Sequence, residues 1–144
     1  MKKALLLFIP CVVAVGGCAT QMGDVAPTHT VRVAVRANNI SASCPATMLV
    51  QKNTGQVATT VYSRNLIQGY ETFYHEEKPV KTGTTFTAEV GFYSPTGQPV
   101  VVPNGTMLRA SILVDGVEKN TVTISAATPA NTAGQRAATI SITL

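Results

Sequence analysis

The sequence predicts an all-β fold, an antiparallel β-sandwich of about seven or eight strands that follows an N-terminal signal segment. From Thr28 onward, apolar and polar residues alternate with a period of two, which is typical of strands with one buried face. Turn-forming residues interrupt this alternation at intervals of about 8 to 14 residues. No segment after Thr28 has apolar residues at helical spacing together with a helix cap. Packing two sheets face to face buries the apolar sides of such short strands.

The first predicted strand runs from Thr30 to Arg36 and precedes a hairpin. Its valines, expected in the core, are Val31, Val33 and Val35, and its arginines, expected in water, are Arg32 and Arg36. Runs from Ala46 to Lys52 and from Gln56 to Ser63 form the hairpin across the loop Asn53-Thr54-Gly55. An aromatic stretch, Leu66 to His75, comes next, and Gly69 within it predicts a bend or bulge.

The clearest strand runs from Thr85 to Tyr93. The face that it is predicted to turn to the core consists of Phe86, Ala88, Val90 and Phe92. After a turn, Pro99 to Pro103 is predicted to be a short edge segment, because proline cannot donate a hydrogen bond to a β-ladder.

A second hairpin and a last strand complete the sandwich. Strands from Thr106 to Val114 and from Val117 to Ser125 pair across Asp115-Gly116, a dipeptide suited to a two-residue type I′ turn. The last strand, Ala137 to Leu144, has an apolar face made of Ala138, Ile140, Ile142 and Leu144. This number and spacing of strands favours an immunoglobulin-like or transthyretin-like topology over a closed barrel. Antibody domains have a buried tryptophan, and the chain has no tryptophan.

The N-terminal residues have the layout of a secretory signal peptide. Lys2 and Lys3 precede an uncharged stretch, Ala4 to Gly17, that becomes rich in small residues toward its end. A helix that spans a membrane needs about 20 apolar residues. This stretch is shorter and contains Pro10, so we expect the segment to be removed from the mature protein.

The string Val15-Gly16-Gly17-Cys18 resembles the lipobox of bacterial lipoproteins, in which an aliphatic residue and two small residues precede a cysteine. The resemblance implies that the thiol of Cys18 receives a diacylglycerol, that the signal is cut before Cys18, and that the new amine is acylated. The residue after Cys18 is Ala19 and not aspartate, which resembles the pattern of lipoproteins that are sorted to the outer membrane. The expected organisation is a cleaved signal at residues 1–17, the lipidated cysteine and a short tether at 18–27, and a single sandwich domain at 28–144.

The tether limits where a partner can be. Ala19 to Pro27 spans at most roughly 30 Å when fully extended. We therefore expect the domain to stay close to the membrane, anchored through Cys18 in the outer membrane and facing either the periplasm or the cell surface. An unidentified envelope protein near that membrane is the expected partner.

The charge of the chain argues against a nucleic-acid partner. The formal net charge of +4 falls to +2 when Lys2 and Lys3 are removed with the signal. The remaining cations are scattered along the sequence, and no dense basic patch is apparent from their order.

The cysteines predict no intramolecular disulfide. Cys11 leaves with the signal and Cys18 is lipidated, so Cys44 is the one thiol that remains. Its place in an alternating run before Pro45 favours burial as a small apolar side chain. A catalytic cysteine would require a histidine partner, and only His29 and His75 are available.

Candidate chemistry is sparse, and we expect no enzyme activity, metal or cofactor. The one compact polar cluster, His75-Glu76-Glu77, is interpreted as a solvated loop, because adjacent residues point in different directions and do not converge on a metal ion. The carboxylates lie in no motif that fixes the separation that glycoside hydrolysis requires. Neither a Gly-x-Ser-x-Gly elbow nor a phosphate-binding loop occurs in the sequence.

The aromatic residues are the best candidates for a partner surface, because tyrosine offers a large amphipathic contact area. The candidate set is Tyr62, Tyr70, Tyr74, His75 and Tyr93, with Glu76 at its rim. Phe73 and some of the tyrosines could instead cap the core. The C-terminal strand offers β-strand addition as a second recognition mode if it lies at a sheet edge.

The sequence thus predicts a non-enzymatic protein-binding or assembly module of the cell envelope. The alternative is an inhibitor or exclusion factor, of the lysozyme-inhibitor or protease-inhibitor type, which would insert a loop into a target enzyme. An adhesin-like surface domain is a third possibility.

Overall fold

The computed structural model describes residues 27–55, 57–67, 69–94 and 98–144. The predicted signal, with its cleavage motif Val15, Gly16 and Gly17, and the predicted lipidation site Cys18 lie outside these residues. The described residues form eight strands, which are β1 (Thr28–Ile40), β2 (Ala46–Asn53), β3 (Ala58–Leu66), β4 (Gly69–Lys81), β5 (Thr85–Phe92), β6 (Met107–Val114), β7 (Val117–Ser125) and β8 (Arg136–Thr143).

The strands form two antiparallel sheets of four strands each. The first sheet has the order β4-β1-β6-β7 and the second has the order β3-β2-β5-β8. The prediction of an antiparallel β-sandwich is confirmed. In the constant-type immunoglobulin arrangement the first two strands share a sheet, whereas β1 and β2 lie in opposite sheets here. Within the described ranges, no helix is long and apolar enough to span a membrane.

The core lies between the sheets and follows the period-two pattern. Val31, Val33 and Val35 are at most 1% exposed, while Arg32 and Arg36 face water, as predicted. The predicted core face of β5 is also fully buried, and it consists of Phe86, Ala88, Val90 and Phe92. Burying each large apolar side chain contributes about 1.5–3 kcal/mol, so these two strands supply a large part of the apolar stabilisation.

The hairpin of β6 and β7 has the predicted two-residue turn. Asp115 has φ 51° and Gly116 has φ 81°, which are the positive values that a type I′ turn requires. The turn is also bound to the start of β1. Asp115 Oδ1 accepts a hydrogen bond from the backbone N–H of Thr30 at 2.8 Å, and Asp115 Oδ2 lies 2.7 Å from His29 Nδ1.

Two sequence interpretations were wrong. The cluster His75-Glu76-Glu77 is not a loop, because β4 continues through it to Lys81. Proline is tolerated at an edge strand, so Pro79 does not end β4. The segment from Pro99 to Pro103 is not an edge strand; Val100 and Val102 are buried, and Val100 makes a backbone hydrogen bond to the Gly134 carbonyl at 3.3 Å.

Cys44 is buried, as its sequence context predicted, with 1% of its surface exposed. Burial raises the pKa of its thiol, and the positive charge of Arg136 opposes this rise only in part. A protonated buried thiol is a small apolar group and a poor nucleophile.

The start of β1 and the end of β8 lie at the same end of the sandwich. The carbonyl oxygen of Pro27 accepts a hydrogen bond from Thr82 Oγ1 at 3.4 Å. Close by, the backbone N–H of Leu144 donates to the carbonyl of Thr84 at 3.1 Å, and that of Gly83 donates to the carbonyl of Leu144 at 2.7 Å. The segment between β4 and β5 therefore contacts both ends of the described chain.

Candidate partner-binding face

The tyrosines proposed as a partner surface lie at three separate places. Tyr70 and Tyr74 are on the outer face of the first sheet and are 73% and 59% exposed. Tyr62 of β3 is half-buried between the sheets, where its ring lies 5.5 Å from the ring of His75. Tyr93 follows β5 and is half-buried, with its backbone N–H bonded to the carbonyl of Pro45 at 3.1 Å. Tyr70 and Tyr74 alone share an exposed face.

Three arginines lie on that same outer face, which we call the arginine face. Arg32 and Arg36 come from β1, and Arg109 comes from β6. Alternate residues of a strand share a face, and the pairing of β1 with β6 places these residues side by side. Together they line a cleft of about 270 Å³ with Ala34, Thr72, Tyr74, Ser111, Leu113 and Glu118.

The cations are scattered along the sequence, but the interpretation that they form no cluster was wrong for this face. Arg36 is the direct register partner of Arg109, although the two are far apart in the sequence. The outward positions of each strand were predictable from their alternation. The pairing that unites them is a long-range property that alternation does not report.

Arg32 is held in place by two neighbours on β4. Its Nε donates to Glu76 Oε2 at 2.9 Å, and its guanidinium carbon lies 4.9 Å from the centre of the Tyr74 ring. The hydrogen bond from Arg32, followed by one from Lys78, holds the pKa of the Glu76 carboxyl below its ordinary value. The charge of Arg32 is therefore already matched within the chain.

Glu118 of β7 lies on the opposite side of the cleft and is hydrogen-bonded to two residues of β6. Its Oε2 accepts a hydrogen bond from Ser111 Oγ at 2.7 Å, and its Oε1 accepts one from Arg109 Nη2 at 3.1 Å. The hydrogen bond from Ser111 is the main reason that the pKa of the Glu118 carboxyl lies below its ordinary value; burial opposes it, and the charges of Arg109 and Arg36 add to it. This part of the cleft thus holds a carboxylate of the chain itself.

Arg36 differs from the other two arginines. It is exposed, and it forms no hydrogen bond or ion pair with any side chain in the part of the chain that the structure describes. The cleft is lined by three arginines and one glutamate, so the formal charge of its lining is +2. This arrangement can bind an anionic group beside Arg36.

The residues around His75 form a second cluster, which lies between the sheets. Lys52 of β2 makes an ion pair with Glu77 of β4, and the guanidinium of Arg64 lies 3.9 Å from the centre of the Phe73 ring. The His75 Nε2 atom is buried without a hydrogen-bond partner among the described residues and lies 3.8 Å from Glu77 Oε2. These contacts connect the two sheets along β3 and β4.

The described residues include no group of three or more histidine, cysteine, aspartate or glutamate side chains placed to hold a metal ion. At the cluster His75-Glu76-Glu77 the three side chains do not converge, because Glu76 points away from Glu77. Glu76 lies on the outer face with Arg32, whereas Glu77 points between the sheets.

The edges of the sheets are unevenly protected against strand addition. β8 does lie at an edge of the second sheet, but the Asn120 side chain of β7 donates to its Ser141 carbonyl at 3.0 Å. A register shift in the pairing of β2 with β3 disrupts the regular geometry of the β3 edge. β4 is an edge strand of the first sheet and contains Lys78-Pro79. Bulges, lysines and prolines are devices that discourage edge pairing, which makes the arginine face the stronger candidate.

No family model, curated protein or solved structure matches the chain.

Proposed function

We propose that this chain is an outer-membrane lipoprotein, anchored through acyl chains on Cys18, whose transthyretin-like sandwich is a non-enzymatic binding module for a membrane-proximal protein of the cell envelope. The signal layout and the string Val15-Gly16-Gly17-Cys18 support the anchor. Three acyl chains hold a protein in a bilayer far more firmly than one, because each buried methylene adds about 0.8 kcal/mol. The placement of β1 and β2 in opposite sheets supports the transthyretin-like topology over the immunoglobulin-like one.

The observation that carries the binding function is the composition of the arginine face. Tyr70 and Tyr74 are exposed on the same sheet face as Arg36, which has no partner among the described side chains. Tyrosine and arginine are enriched among the residues that dominate the energy of protein interfaces. Within one sheet they are held on rigid strands, so little conformational entropy is lost when a partner binds.

The experiment uses a soluble form that begins at Gln21 as bait for envelope extracts. We expect a defined envelope protein to be retained, and we expect Tyr74→Ala to reduce its recovery about tenfold, as loss of a central interface aromatic does. Val101→Ala is the matched control, because Val101 is 81% exposed but lies outside the arginine face. Equal recovery by the Tyr74 and Val101 variants would contradict the assignment of this face.

One observation favours an inhibitor as the alternative function. The loop at residues 126–135 is organised internally by Asn131, whose Oδ1 accepts hydrogen bonds from the backbone of Ala133 at 3.0 Å and of Gln135 at 2.9 Å. A rigid exposed loop is suited to insertion into an enzyme cleft because it is ordered before binding. A captured hydrolase that loses activity, and whose capture requires Asn131 but not Tyr74, would replace the assembly proposal with this one.

The anchor is tested separately by Cys18→Ser in the full chain. We expect this variant to lose incorporation of labelled fatty acid and to leave the membrane fraction. Membrane retention of the variant without lipid label would contradict a thioether-linked anchor.

A further inference from the structure

Glu118 relieves the repulsion between Arg36 and Arg109 only in part. Charges of the same sign at directly opposite positions of an antiparallel pair are destabilising. Glu118 is the one carboxylate that lines the cleft among the described residues, and its hydrogen bonds go to Arg109 and Ser111. The charge of Glu118 attracts Arg36 through space, but the two side chains share no hydrogen bond. A further anion beside Arg36 would relieve this repulsion.

The geometry of Glu118 shows how a carboxylate is held here. One oxygen lies 2.7 Å from the Ser111 hydroxyl and the other lies 3.1 Å from Arg109 Nη2. The side chains of Arg109 and Glu118 are 46% and 41% exposed. Exposed ion pairs contribute little to stability, so a second carboxylate can exchange with Glu118 at low cost.

We propose that the arginine face binds an aspartate or glutamate side chain of the partner protein, which displaces Glu118 from Ser111 and Arg109 and pairs at the same time with Arg36. Glu118 then acts as an internal substitute for the partner's carboxylate. This inference rests on the proposed binding function, and it names the chemical group that the face recognises.

The surroundings of the cleft favour a protein side chain over the phosphates of a membrane surface. Ala34 and Leu113 provide apolar contacts for the methylene groups of an acidic side chain. Glu76 and Glu118 lie on opposite sides of the arginines, and each is already paired with an arginine, so the positive charge without a partner among the described side chains is confined to Arg36. A concave site of about 270 Å³ with one such arginine suits a single projecting side chain better than a flat anionic surface.

The test measures binding of a hexaglutamate peptide to the soluble form by NMR, with hexaglutamine as the uncharged control peptide. We expect hexaglutamate, and not hexaglutamine, to shift the backbone signals of Arg36, Ser111 and Tyr74. Arg36→Gln should weaken binding about five- to tenfold, the range expected for loss of a charge-assisted hydrogen bond at a partly exposed site. Lys81→Gln removes the same charge from the exposed end of β4, outside the cleft, and should change affinity by less than about twofold.

Glu118→Gln is the decisive variant because it removes the internal competitor. We expect it to strengthen binding of hexaglutamate severalfold, whereas a Glu118 that merely supports the fold would give no gain. Equal loss in the Arg36 and Lys81 variants, or unchanged affinity in the Glu118 variant, would overturn the proposal. So would binding of phosphatidylglycerol vesicles, but not hexaglutamate, in a manner that depends on Arg36.

The peptide experiment and the capture experiment fail independently. If hexaglutamate binds as expected but capture of an envelope protein is insensitive to Tyr74, the carboxylate site stands and the proposed function is contradicted. If capture depends on Tyr74 but hexaglutamate binding is insensitive to Arg36 and Glu118, the binding function stands and the carboxylate exchange is wrong.

Discussion

Arg36 of β1 lies directly opposite Arg109 of β6, so two positive side chains are neighbours on one face of the first sheet. Because such pairs are destabilising, we expect Arg36→Thr to raise the free energy of unfolding by about 0.2–1 kcal/mol at low salt. Urea denaturation at low and high ionic strength measures this change in the free energy of unfolding. Salt should reduce the gain in stability, because it screens the repulsion between the two arginines.

Arg32→Thr is the matched control on the same strand. Arg32 is paired with Glu76 and stacked on Tyr74, so its loss should destabilise the protein. A destabilising effect of Arg36→Thr, similar to that of the control, would show that the contacts of Arg36 outweigh its repulsion with Arg109.

The Glu118 carboxyl should make a small contribution to the pH dependence of stability, because its ion pair with Arg109 is exposed to solvent. Its pKa in the folded state is depressed, chiefly by the hydrogen bond from Ser111. The stabilisation is therefore fully present above the pKa of the unfolded chain and is lost as the pH falls through the lower folded-state pKa. Glu76 and Asp115 have pKa shifts in the same direction, so acid should remove their contributions too.

Removing the Ser111 hydroxyl tests whether its hydrogen bond lowers the pKa of the Glu118 carboxyl. We expect Ser111→Ala to raise the pKa of Glu118 toward its ordinary value, which an NMR titration of the side-chain carboxyl carbon measures directly. Ser63→Ala, at an exposed position of β3, is the control and should leave that titration unchanged. An unchanged Glu118 titration in Ser111→Ala would mean that the arginines dominate instead.

The ion pair of Lys52 with Glu77 connects the two sheets and is largely shielded, with side-chain exposures of 24% and 26%. Lys52→Met should lower the free energy of unfolding by about 1–3 kcal/mol, because Glu77 is left charged and poorly hydrated. The double variant Lys52→Met, Glu77→Gln should recover much of this loss. Additive effects of the two single substitutions would argue that the pair is not coupled.

Cys44 should be unreactive toward a thiol-specific chromogenic reagent in the folded protein, because it is 1% exposed and burial raises its pKa. Reaction should follow unfolding by denaturant. Rapid labelling of the soluble form under native conditions would show that the region around Cys44 opens readily.

Gly91 of β5 lies very close to β8. A Cβ at this position would lie 2.9 Å from the Cβ of Ala137. Gly91→Ala should therefore destabilise the sandwich by about 1–3 kcal/mol, as overpacking does, and Ala137→Gly should partly rescue it. Glu89→Ala, at an exposed position of the same strand, is the control in thermal unfolding and should shift the midpoint much less.

The sequence predicted those parts of the fold that depend on neighbouring residues. The buried valines of β1 follow from alternation, and the turn at Asp115-Gly116 follows from the backbone preferences of two residues. The arginine face depends on the pairing of β1 with β6, and no local pattern specifies which strands pair. The extent of β4 was missed because the charged run His75-Glu76-Glu77 was interpreted as a solvated loop, whereas β4 continues through it and through Pro79, which an edge strand tolerates.

The hydrogen bonds of Pro27 and Leu144 to one segment have a consequence for how the domain would stand on a membrane. If Cys18 carries the proposed anchor, the end of the sandwich that holds Pro27 and Leu144 is the end joined to the bilayer, through a tether of at most roughly 30 Å. The arginine face lies along the side of the sandwich and would be open to a neighbour anchored in the same leaflet. The loop at residues 126–135 lies at the opposite end, so a reporter inserted there would be farther from the lipid than one fused after Leu144.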